Sequence, residues 1–204
     1  YGAYDVLTCF LLYKKLLVLL EERSLMQAIH QENEFLKVAA DCEINGMPLD
    51  TVKWLDASAN ARIKTVEMKE ELEQIATINW DSPKQVNEVF KSMGIDTLIL
   101  DKKTGEIKES VGKIHLKKQE TKFPILSLYI QYKIEGKKCN AYGEKFLRHV
   151  NPQSGRIHTS FLQLKDTGRT GSSGPNMQNI PRDKTYRSAF HTGDDSSFVI
   201  ADFS

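Results

Sequence analysis

The chain has 204 residues, 40% of them hydrophobic and 27% charged, which is ordinary for a soluble globular protein with one large domain or two small ones. The apolar stretch over residues 6–20 is interrupted by Lys14 and Lys15, so we expect no membrane span, and it lacks the basic leader of a signal peptide. The three cysteines are far apart, which argues against a disulfide framework or a zinc site and suits a reducing cytosol.

The formal net charge of +1 conceals a local imbalance. Residues 1–100 carry 10 Lys or Arg against 16 Asp or Glu, residues 101–150 carry 12 against 6, and residues 151–204 carry 6 against 5. A local basic segment is typical of a surface that faces phosphate groups. Lysine-rich segments also occur simply as solvated surface, so charge alone leaves both interpretations open.

The first predicted helix covers residues 1–23. Tyr1 and Asp5 lie one turn apart in it, so their side chains share a face. A second helix is predicted over residues 24–44, and an Asn-Gly pair ends it because glycine readily takes a left-handed conformation. The apolar residues of the first helix recur at helical spacing and predict an amphipathic element: Leu7, Phe10, Leu11, Leu17 and Leu20.

Two more helices are predicted before residue 95. Asp50 caps a long helix that carries an intermittent apolar stripe. In the next helix Ser82 is the N-cap, Pro83 occupies the first helical position and Gln85 closes a capping box. The buried face of that helix is predicted to consist of Val86, Val89, Phe90 and Met93.

The basic segment begins with residues 101–112, which are polar and punctuated by glycine. This composition predicts a loop in which Ser110 caps the following helix. Helical periodicity returns over residues 123–142, where three lysines, at 133, 137 and 138, flank the apolar positions. A lysine is a flexible point charge that contacts phosphate without reading bases, although it also serves merely to solvate a helix.

The predicted secondary structure changes from helices to strands after residue 150. N-P-Q-S-G predicts a turn, and residues 156–161 predict a strand. Residues 198–201 predict a short buried strand that delivers Asp202 at its end. Helices followed by short strands make the predicted fold class α+β.

Residues 167–181, T-G-R-T-G-S-S-G-P-N-M-Q-N-I-P, combine an arginine with three amide side chains and many small residues. The minor groove of DNA presents purine N3 and pyrimidine O2 acceptors at similar places in every base pair. A fixed cationic donor aimed at those acceptors checks base-pair geometry without reading sequence. Glycines at such a place let the backbone approach nucleic acid closely. The plain alternative is a Ser/Gly/Asn-rich surface loop.

This segment, with A-D-F-S at residues 201–204, resembles the start of the palm of DNA polymerase family A. In that family a T-G-R-x-S-S-x-x-P-N-x-Q-N-I-P segment precedes an A-D-Y-S-Q motif. The sequence departs from the family at Leu162, Gly171 and Phe203, where His or Asn, Ser and Tyr are usual. The short R-D-K-T-Y-R-S-A-F stretch after residue 181 resembles compact, phage-like members.

The resemblance extends upstream and implies a domain organisation. E-I-N-G-M-x-x-D and N-W-D-S-P-K-Q-V resemble the family's thumb, and Y-G-A-Y-D resembles the third motif of its 3′–5′ exonuclease domain. The implied parts are residues 1–23 as the end of an exonuclease-like domain, 24–150 as a helical thumb and 151–204 as the start of a palm. We therefore expect an internal fragment, whose fingers and remaining palm belong to a larger protein.

The resemblance also implies roles for individual residues. Asp202 is the expected catalytic metal ligand, and the backbone carbonyl of Phe203 is a second metal contact. Tyr1 and Asp5 match an exonuclease remnant, although a solvated Asp on a surface helix explains them equally well. The expected DNA contacts are Arg169 in the minor groove, Asn176, Gln178 and Asn179 beside it, and Lys102, Lys103, Lys133, Lys137 and Lys138 on phosphates.

The function implied is template-dependent nucleotidyl transfer to a primer 3′-OH in DNA replication or repair, with two Mg²⁺ ions as cofactors. Primer-template duplex and dNTP are the expected partners, and the cytoplasm is the expected location. The fragment alone is expected to bind duplex DNA without polymerising. Two alternatives stay open. One is a duplex-DNA-binding module without catalytic activity, and the other is a helical protein-interaction domain that binds no nucleic acid. Arg169 and the amide side chains argue against the second, because such a domain does not need them.

Overall fold

The computed structural model describes residues 1–101, 104–163, 165, 167–192 and 196–201. The chain divides into two compact units, each built from two stretches of sequence. The first unit combines residues 1–47 with 151–179, and the second combines residues 48–150 with 180–204. Helices predominate and the strands are short, which confirms the α+β class. The subdomain boundaries predicted after residues 23 and 150 stay a prediction.

The helices of the described residues are α1 (Gly2–Glu22), α2 (Met26–Asn45), α3 (Thr51–Ile75), α4 (Pro83–Ser92), α5 (Lys113–Leu116), α6 (Ile125–Tyr142) and α7 (Lys184–Arg187). The strands are β1 (Met47–Pro48), β2 (Leu98–Leu100), β3 (Ile107–Glu109), β4 (Arg156–Ile157), β5 (Ser160–Leu162) and β6 (Gly171–Ser173). Single 3₁₀ turns cover Lys117–Gln119, Glu144–His149 and Met177–Asn179.

In the first unit, α1 forms as predicted but buries none of its residues. Leu7, Phe10 and Leu11, which recur at helical spacing, are exposed. Leu17 and Leu20 are only half-buried. An apolar stripe is buried only where another element covers it, and the described residues supply none for these positions.

Helix α2 packs against β5, and its end is determined by close approach as well as by conformation. Gly46 follows the helix with φ of 61°, as the Asn-Gly pair predicted. A Cβ atom at this position would lie 2.7 Å from the Ile157 carbonyl oxygen. Glycine is therefore required twice over, by its positive φ and by the approach of β4.

The core of the second unit lies between α3, α4 and α6. Its buried residues are Leu72, Trp80, Val86, Phe90, Ile95, Leu116, Leu126, Tyr129, Ile130 and Tyr132.

Asp50 caps α3 as predicted, since its side chain accepts from the amides of Val52 and Lys53 at 3.1 and 3.0 Å. The buried face of α4 is confirmed at Val86 and Phe90, whereas Met93, beyond the end of the helix, is exposed.

A second aromatic cluster in this unit surrounds Trp54, which is fully buried. The Trp54 ring stacks on Phe146 with 4.5 Å between centroids and meets Tyr186 edge-on at 4.9 Å. Phe190 approaches the same ring at 5.8 Å. The Asp50 amide also donates to the Ala189 carbonyl at 2.8 Å. Residues 180–190 are thereby packed against the start of α3.

The segment predicted as a loop, residues 101–112, contains a strand. β3 pairs antiparallel with β2, and Leu100 lies opposite Ile107. The polar composition of this segment gave no sign of the β2–β3 hairpin. Gly105 precedes β3 with φ of 75°. The Ser110 hydroxyl accepts from the Gly112 amide at 3.1 Å instead of capping α5, whose N-cap is Gly112.

The buried strand predicted over residues 198–201 is not formed. Phe198 is 51% exposed and Val199 92% exposed. A strand needs a hydrogen-bonded neighbour and a surface to cover its apolar face. The structure describes no pairing strand beside these residues.

Candidate nucleic-acid interface

The segment that carries the predicted amide cluster is built on a β-hairpin of the first unit. β5 and β6 pair antiparallel, with Phe161 opposite Ser172. The buried Ser172 hydroxyl accepts from the amides of Met177 and Gln178 at 2.9 and 3.3 Å. One serine side chain therefore satisfies the first amides of the Met177–Asn179 turn, in the manner of a helix cap.

A second buried hydroxyl holds the connection between β6 and that turn. Thr159 Oγ1 donates to the carbonyl oxygens of Pro175 and Ser173, at 2.7 and 3.1 Å. Gly174, between them, has φ of 65°, a conformation that favours glycine. The backbone of residues 171–179 is thus held by hydrogen bonds from within the unit.

The amides that the sequence singled out lie on the surface of the unit. Asn176, Gln178 and Asn179 are all exposed. Asn176 Oδ1 accepts from the Gln178 amide at 3.1 Å, and Gln178 Nε2 donates to Thr170 Oγ1 at 3.4 Å. The structure therefore brings the three predicted amides together within one turn.

Arg169 lies between β5 and β6, close in sequence to that turn, and its side chain is exposed. Among the residues that the structure describes, the Arg169 guanidinium has no ion-pair partner. The neighbouring Gly168 has φ of 67°. Arg169 is thus an exposed cation on the connection between two paired strands.

The hairpin and the residue after it are held on α2 by contacts that the sequence did not reveal. Glu43 accepts from the Phe161 amide, and the Glu43 carbonyl oxygen lies 2.8 Å from His158 Nδ1. Gln163 Nε2 donates to the Glu32 carbonyl and carboxylate at 3.0 and 2.9 Å. The His158 ring thus helps to hold the hairpin on α2.

Three predicted phosphate contacts lie on α6 of the second unit, in different surroundings. Lys133 is exposed, and its Nζ lies 2.8 Å from Asp81 Oδ1. That hydrogen bond outweighs partial burial and lowers the pKa of Asp81. Lys137 is exposed and lines a groove of this unit.

Lys138 differs because two carboxylates already hold it. Its Nζ lies 2.8 Å from Glu135 Oε1 and 2.6 Å from Asp183 Oδ2, and its side chain is 19% exposed. Partial burial alone lowers the pKa of Lys138, but the hydrogen bonds to the two carboxylates more than compensate and raise it. Asp183 also caps α7 by accepting from the Tyr186 amide at 3.1 Å. The structure thus places Lys138 in an internal bridge, and its phosphate role stays a prediction.

Four predicted site residues lie outside the described residues: Lys102, Lys103, Asp202 and Phe203. Within the described part of the chain, no group of three or more His, Cys, Asp or Glu side chains could hold a metal ion. Tyr1 and Asp5 are exposed on α1, and the Asp5 amide donates to the Tyr1 carbonyl at 3.3 Å. The one-turn spacing predicted for this pair is confirmed, and its relation to an exonuclease site stays a prediction.

Sequence reasoning missed Thr159, Ser172 and Glu43, which shape the hairpin of the first unit, and it missed Asp183, which pairs with Lys138 in the second unit. Each is a small hydroxyl or a carboxylate, which in sequence is indistinguishable from a solvated residue. The one available signal was Asp183, which stands two residues after a proline and before a short helical pattern. The others depend on which segments meet in space.

Comparison with known proteins gives concordant results over most of the chain. The model of "DNA polymerase family A" matches residues 50–204. The DNA polymerase I of Thermus thermophilus is 31% identical over 192 residues, which are 90% of this chain and 23% of that protein. That of Borreliella burgdorferi is 29% identical over an alignment that covers 100% of this chain and 23% of its own length.

A solved structure resembles the chain as well. The POL domain of Pol1 from M. smegmatis, in complex with DNA primer-template and dNTP, superimposes with a TM-score of 0.65 at 26% identity. The match covers 78% of this chain and 29% of that one. The chain therefore spans about a quarter of the length of the relatives it matches.

Proposed function

Because the chain belongs to DNA polymerase family A, we propose that it supplies the thumb and the start of the palm of a DNA-directed DNA polymerase. The reaction is template-dependent addition of dNTP to a primer 3′-OH, in DNA replication or repair. The chain holds primer-template duplex, and the fingers and the remaining palm come from sequence outside these residues.

The observation that carries this proposal is the exposed turn with Asn176, Gln178 and Asn179, preceded in the chain by the exposed Arg169. Two buried hydroxyls, of Thr159 and Ser172, fix the backbone beneath it. A preorganised donor set suits the minor-groove acceptors that all base pairs share, because such contacts test geometry and not sequence. Arg169 provides the charged donor, and the amides both donate and accept.

Lysines of the second unit support binding to the DNA backbone. Lys133 and Lys137 are exposed on α6, and phosphate contacts from lysine position a duplex without specifying its sequence. Lys102 and Lys103 belong to the same basic segment of the sequence. Lys138 is the weakest member of this set, since Glu135 and Asp183 already neutralise it.

The metal proposal depends on the family motif at residues 201–204. The Asp202 carboxylate and the Phe203 carbonyl are the oxygen ligands that this chain would offer, and oxygen ligands suit Mg²⁺. Of two bound Mg²⁺ ions, one would lower the pKa of the primer 3′-OH and both would stabilise the in-line displacement at the α-phosphate. This chain contributes one carboxylate, and the second belongs to the remaining palm.

The proposed location is the cytoplasm. Over the described residues, no helix combines the length and apolar character that a membrane crossing requires. The curated relatives named above are bacterial DNA polymerase I proteins.

Primer extension tests the proposal directly. The 204-residue chain alone is expected not to extend a primer, whereas addition of the remaining palm and fingers, fused or in trans, is expected to restore synthesis. In that reconstituted enzyme Asp202→Asn keeps the size of the side chain, removes its charge, and should abolish extension while leaving duplex binding unchanged. Asp56→Asn, an exposed change on α3, serves as the matched control. Robust synthesis by the chain alone, or an active Asp202→Asn enzyme, would contradict the proposal.

A further inference from the structure

Gly171, the first residue of β6, is buried, and it has no positive φ that would favour glycine. The space beside it is instead taken by a lysine. A Cβ atom at Gly171 would lie 3.3 Å from Lys165 Cδ and would overlap Lys165 Cε and Nζ. The end of the Lys165 side chain therefore lies directly on the Gly171 backbone, and glycine leaves room for it.

The lysine lies on one particular face of the β5–β6 hairpin. Gly171 pairs with Leu162, and the side chains of directly opposed residues lie on the same face of a sheet. Leu162 and Gly171 are also two of the three positions at which the sequence departs from the family, where His or Asn and Ser are usual. A lysine from the β5–β6 connection thus lies on a face where two usual polar side chains are replaced by leucine and glycine.

The ammonium group of Lys165 carries a charge that the described chain does not neutralise. Its backbone is held by a turn, since the Lys165 amide donates to the Gln163 carbonyl at 3.0 Å and its carbonyl accepts from the Gly168 amide at 2.9 Å. The side chain is exposed, and no carboxylate of the described residues forms an ion pair with it. The Glu32 carboxylate, which this segment does contact, accepts instead from Gln163 Nε2 at 2.9 Å.

The position of the ammonium group is beside the exposed amide turn. Thr170, before Gly171, accepts from Gln178 Nε2 at 3.4 Å, and the Ser172 hydroxyl, after it, accepts from the Gln178 amide at 3.3 Å. The minor groove of B-DNA is about 6 Å wide, so side chains that reach its base edges have a sugar–phosphate backbone on either side. Lys165 is long and flexible enough to contact such a phosphate as a point charge.

We propose that Lys165 is a further DNA-binding residue of this chain, whose ammonium group contacts a backbone phosphate of the duplex next to the base pair that the amide turn faces. This inference rests on the proposed function. It adds a phosphate contact to the first unit, whereas the phosphate contacts expected from the sequence all come from residues 102–138. Gly171 keeps the ammonium group in place, because a side chain at that position would displace the end of the lysine.

Anisotropy titrations of the full chain with a fluorescein-labelled DNA duplex, at several salt concentrations, test the proposal. Lys165→Met keeps an apolar stem over Gly171 and removes the charge. The slope of log K against log salt should therefore become less steep by about 0.9, the value for one phosphate contact. Lys165→Arg keeps the charge and should keep the slope. Lys37→Met removes an exposed lysine of the same unit that Glu34 already pairs with, and should change the slope by less than about 0.3.

Gly171→Ala tests the positioning of the lysine without changing the lysine itself. The atoms that the new Cβ would meet are at the far end of a flexible side chain, so the hairpin should stay folded while the ammonium group moves. Gly171→Ala should therefore reduce the slope about as much as Lys165→Met, and the double variant should lose no more than either single variant. Far-UV circular dichroism checks that all variants are folded.

Four results would overturn the proposal: no duplex binding by the unaltered chain, an unchanged slope in Lys165→Met, an unchanged slope in Gly171→Ala, or additive losses in the double variant. A dNTP, added at constant ionic strength, should not displace the duplex. Displacement that Lys165→Met abolishes would assign the ammonium group to nucleotide phosphates instead. Primer extension by the reconstituted enzyme tests the polymerase function separately, so active synthesis with an unchanged slope in Lys165→Met would reject the Lys165 contact alone.

Discussion

Thr159 Oγ1 lies 2.7 Å from the Pro175 carbonyl oxygen and donates its one hydrogen towards this oxygen and that of Ser173. Thr159 precedes β5, and Pro175 follows β6. The contact therefore joins the beginning and the end of the hairpin beneath the exposed amides. It makes the position of Asn176 depend on a residue 17 positions earlier in the sequence.

Thr159→Val is expected to lower the free energy of unfolding by about 1–3 kcal/mol. Valine has nearly the same shape but no donor, so buried carbonyl oxygens lose a hydrogen bond. Urea unfolding followed by circular dichroism measures the change. Thr77→Val, at an exposed position of the other unit, should stay within about 0.5 kcal/mol of the unaltered chain. Equal effects at the two positions would mean that the Thr159 hydroxyl has no structural role.

Arg169→Ala is expected to slow nucleotide addition in the reconstituted polymerase while changing duplex affinity little. A charged hydrogen bond contributes about 1.5–3 kcal/mol, which corresponds to roughly 10- to 150-fold in rate if it forms mainly in the transition state. Single-turnover kinetics measure the effect, with Arg62→Ala on α3 as the control. The loss should shrink on a primer terminus that lacks the minor-groove acceptor. An equal loss on both primers would indicate a structural role for Arg169.

Binding of the isolated chain to duplex DNA is expected to be weak, independent of sequence and strongly dependent on salt. If the lysines of the basic segment contact about four to six phosphates, log K should fall with log salt at a slope of roughly −4 to −5. The double variant Lys133→Gln, Lys137→Gln should reduce the steepness of that slope by about two units. Anisotropy titrations at several salt concentrations measure it. An affinity that does not change with salt would exclude the phosphate contacts.

The Asp81–Lys133 pair is expected to make stability depend on acid pH. The Lys133 hydrogen bond holds the pKa of Asp81 below its ordinary value in the folded chain. A group with a lowered folded-state pKa stabilises the fold above its unfolded pKa, and this contribution is lost as pH falls through the folded value. Asp81→Asn should therefore be less stable than the unaltered chain at pH 6, and the difference should diminish below the ordinary pKa of 3.8.

Urea unfolding at several pH values measures this dependence, with Asp56→Asn as the exposed control. Since Asp81 is largely exposed, the effect is expected to be small but of defined sign. A difference between Asp81→Asn and the unaltered chain that is constant from pH 6 to pH 2.5 would show that the pair does not contribute through ionisation.

Trp54→Ala is expected to destabilise the second unit by about 3–5 kcal/mol, the usual cost of removing a large buried aromatic ring. The ring is fully buried and contacts Phe146, Tyr186 and Phe190. Trp54→Phe should lose much less, because a second ring occupies most of the space. Urea unfolding measures both. Similar losses for the two variants would assign the effect to the Trp54 Nε1 bond with the Gly143 carbonyl and not to packing.

Helix ends illustrate how local sequence both succeeds and fails as a guide. Ser82 and Pro83 correctly predicted the start of α4, but the capping box is not formed: the Ser82 side chain makes no capping bond, and Gln85 Oε1 accepts from the Asn79 amide at 2.7 Å. A helix cap involves only residues that are close in sequence, so the sequence predicts the position at which the helix begins. Which of several nearby donors a flexible side chain selects depends on the path of the preceding loop.

The basic segment shows the same limit for charge. The sequence located an excess of lysine in residues 101–150, yet it treated the three lysines of α6 alike. Lys138 is held by Asp183, which comes 45 residues later and belongs to a different element. Composition counts charges, whereas an ion pair between distant segments decides whether a given charge is available to a partner.

Local and patterned features were determined by the sequence itself. The helices, the turn at Gly46, the Asp50 cap and the family of the chain follow from short-range propensity and from motifs in register. Other features became known only from the tertiary structure. Thr159 and Ser172 hold the backbone of the amide turn, and Trp54 packs against residues 180–190. Helix α1 and residues 198–201 bury no apolar face. The reason is physical: capping and helix formation involve residues within a few positions of each other, but burial and hydrogen bonding across the fold depend on which distant segments meet.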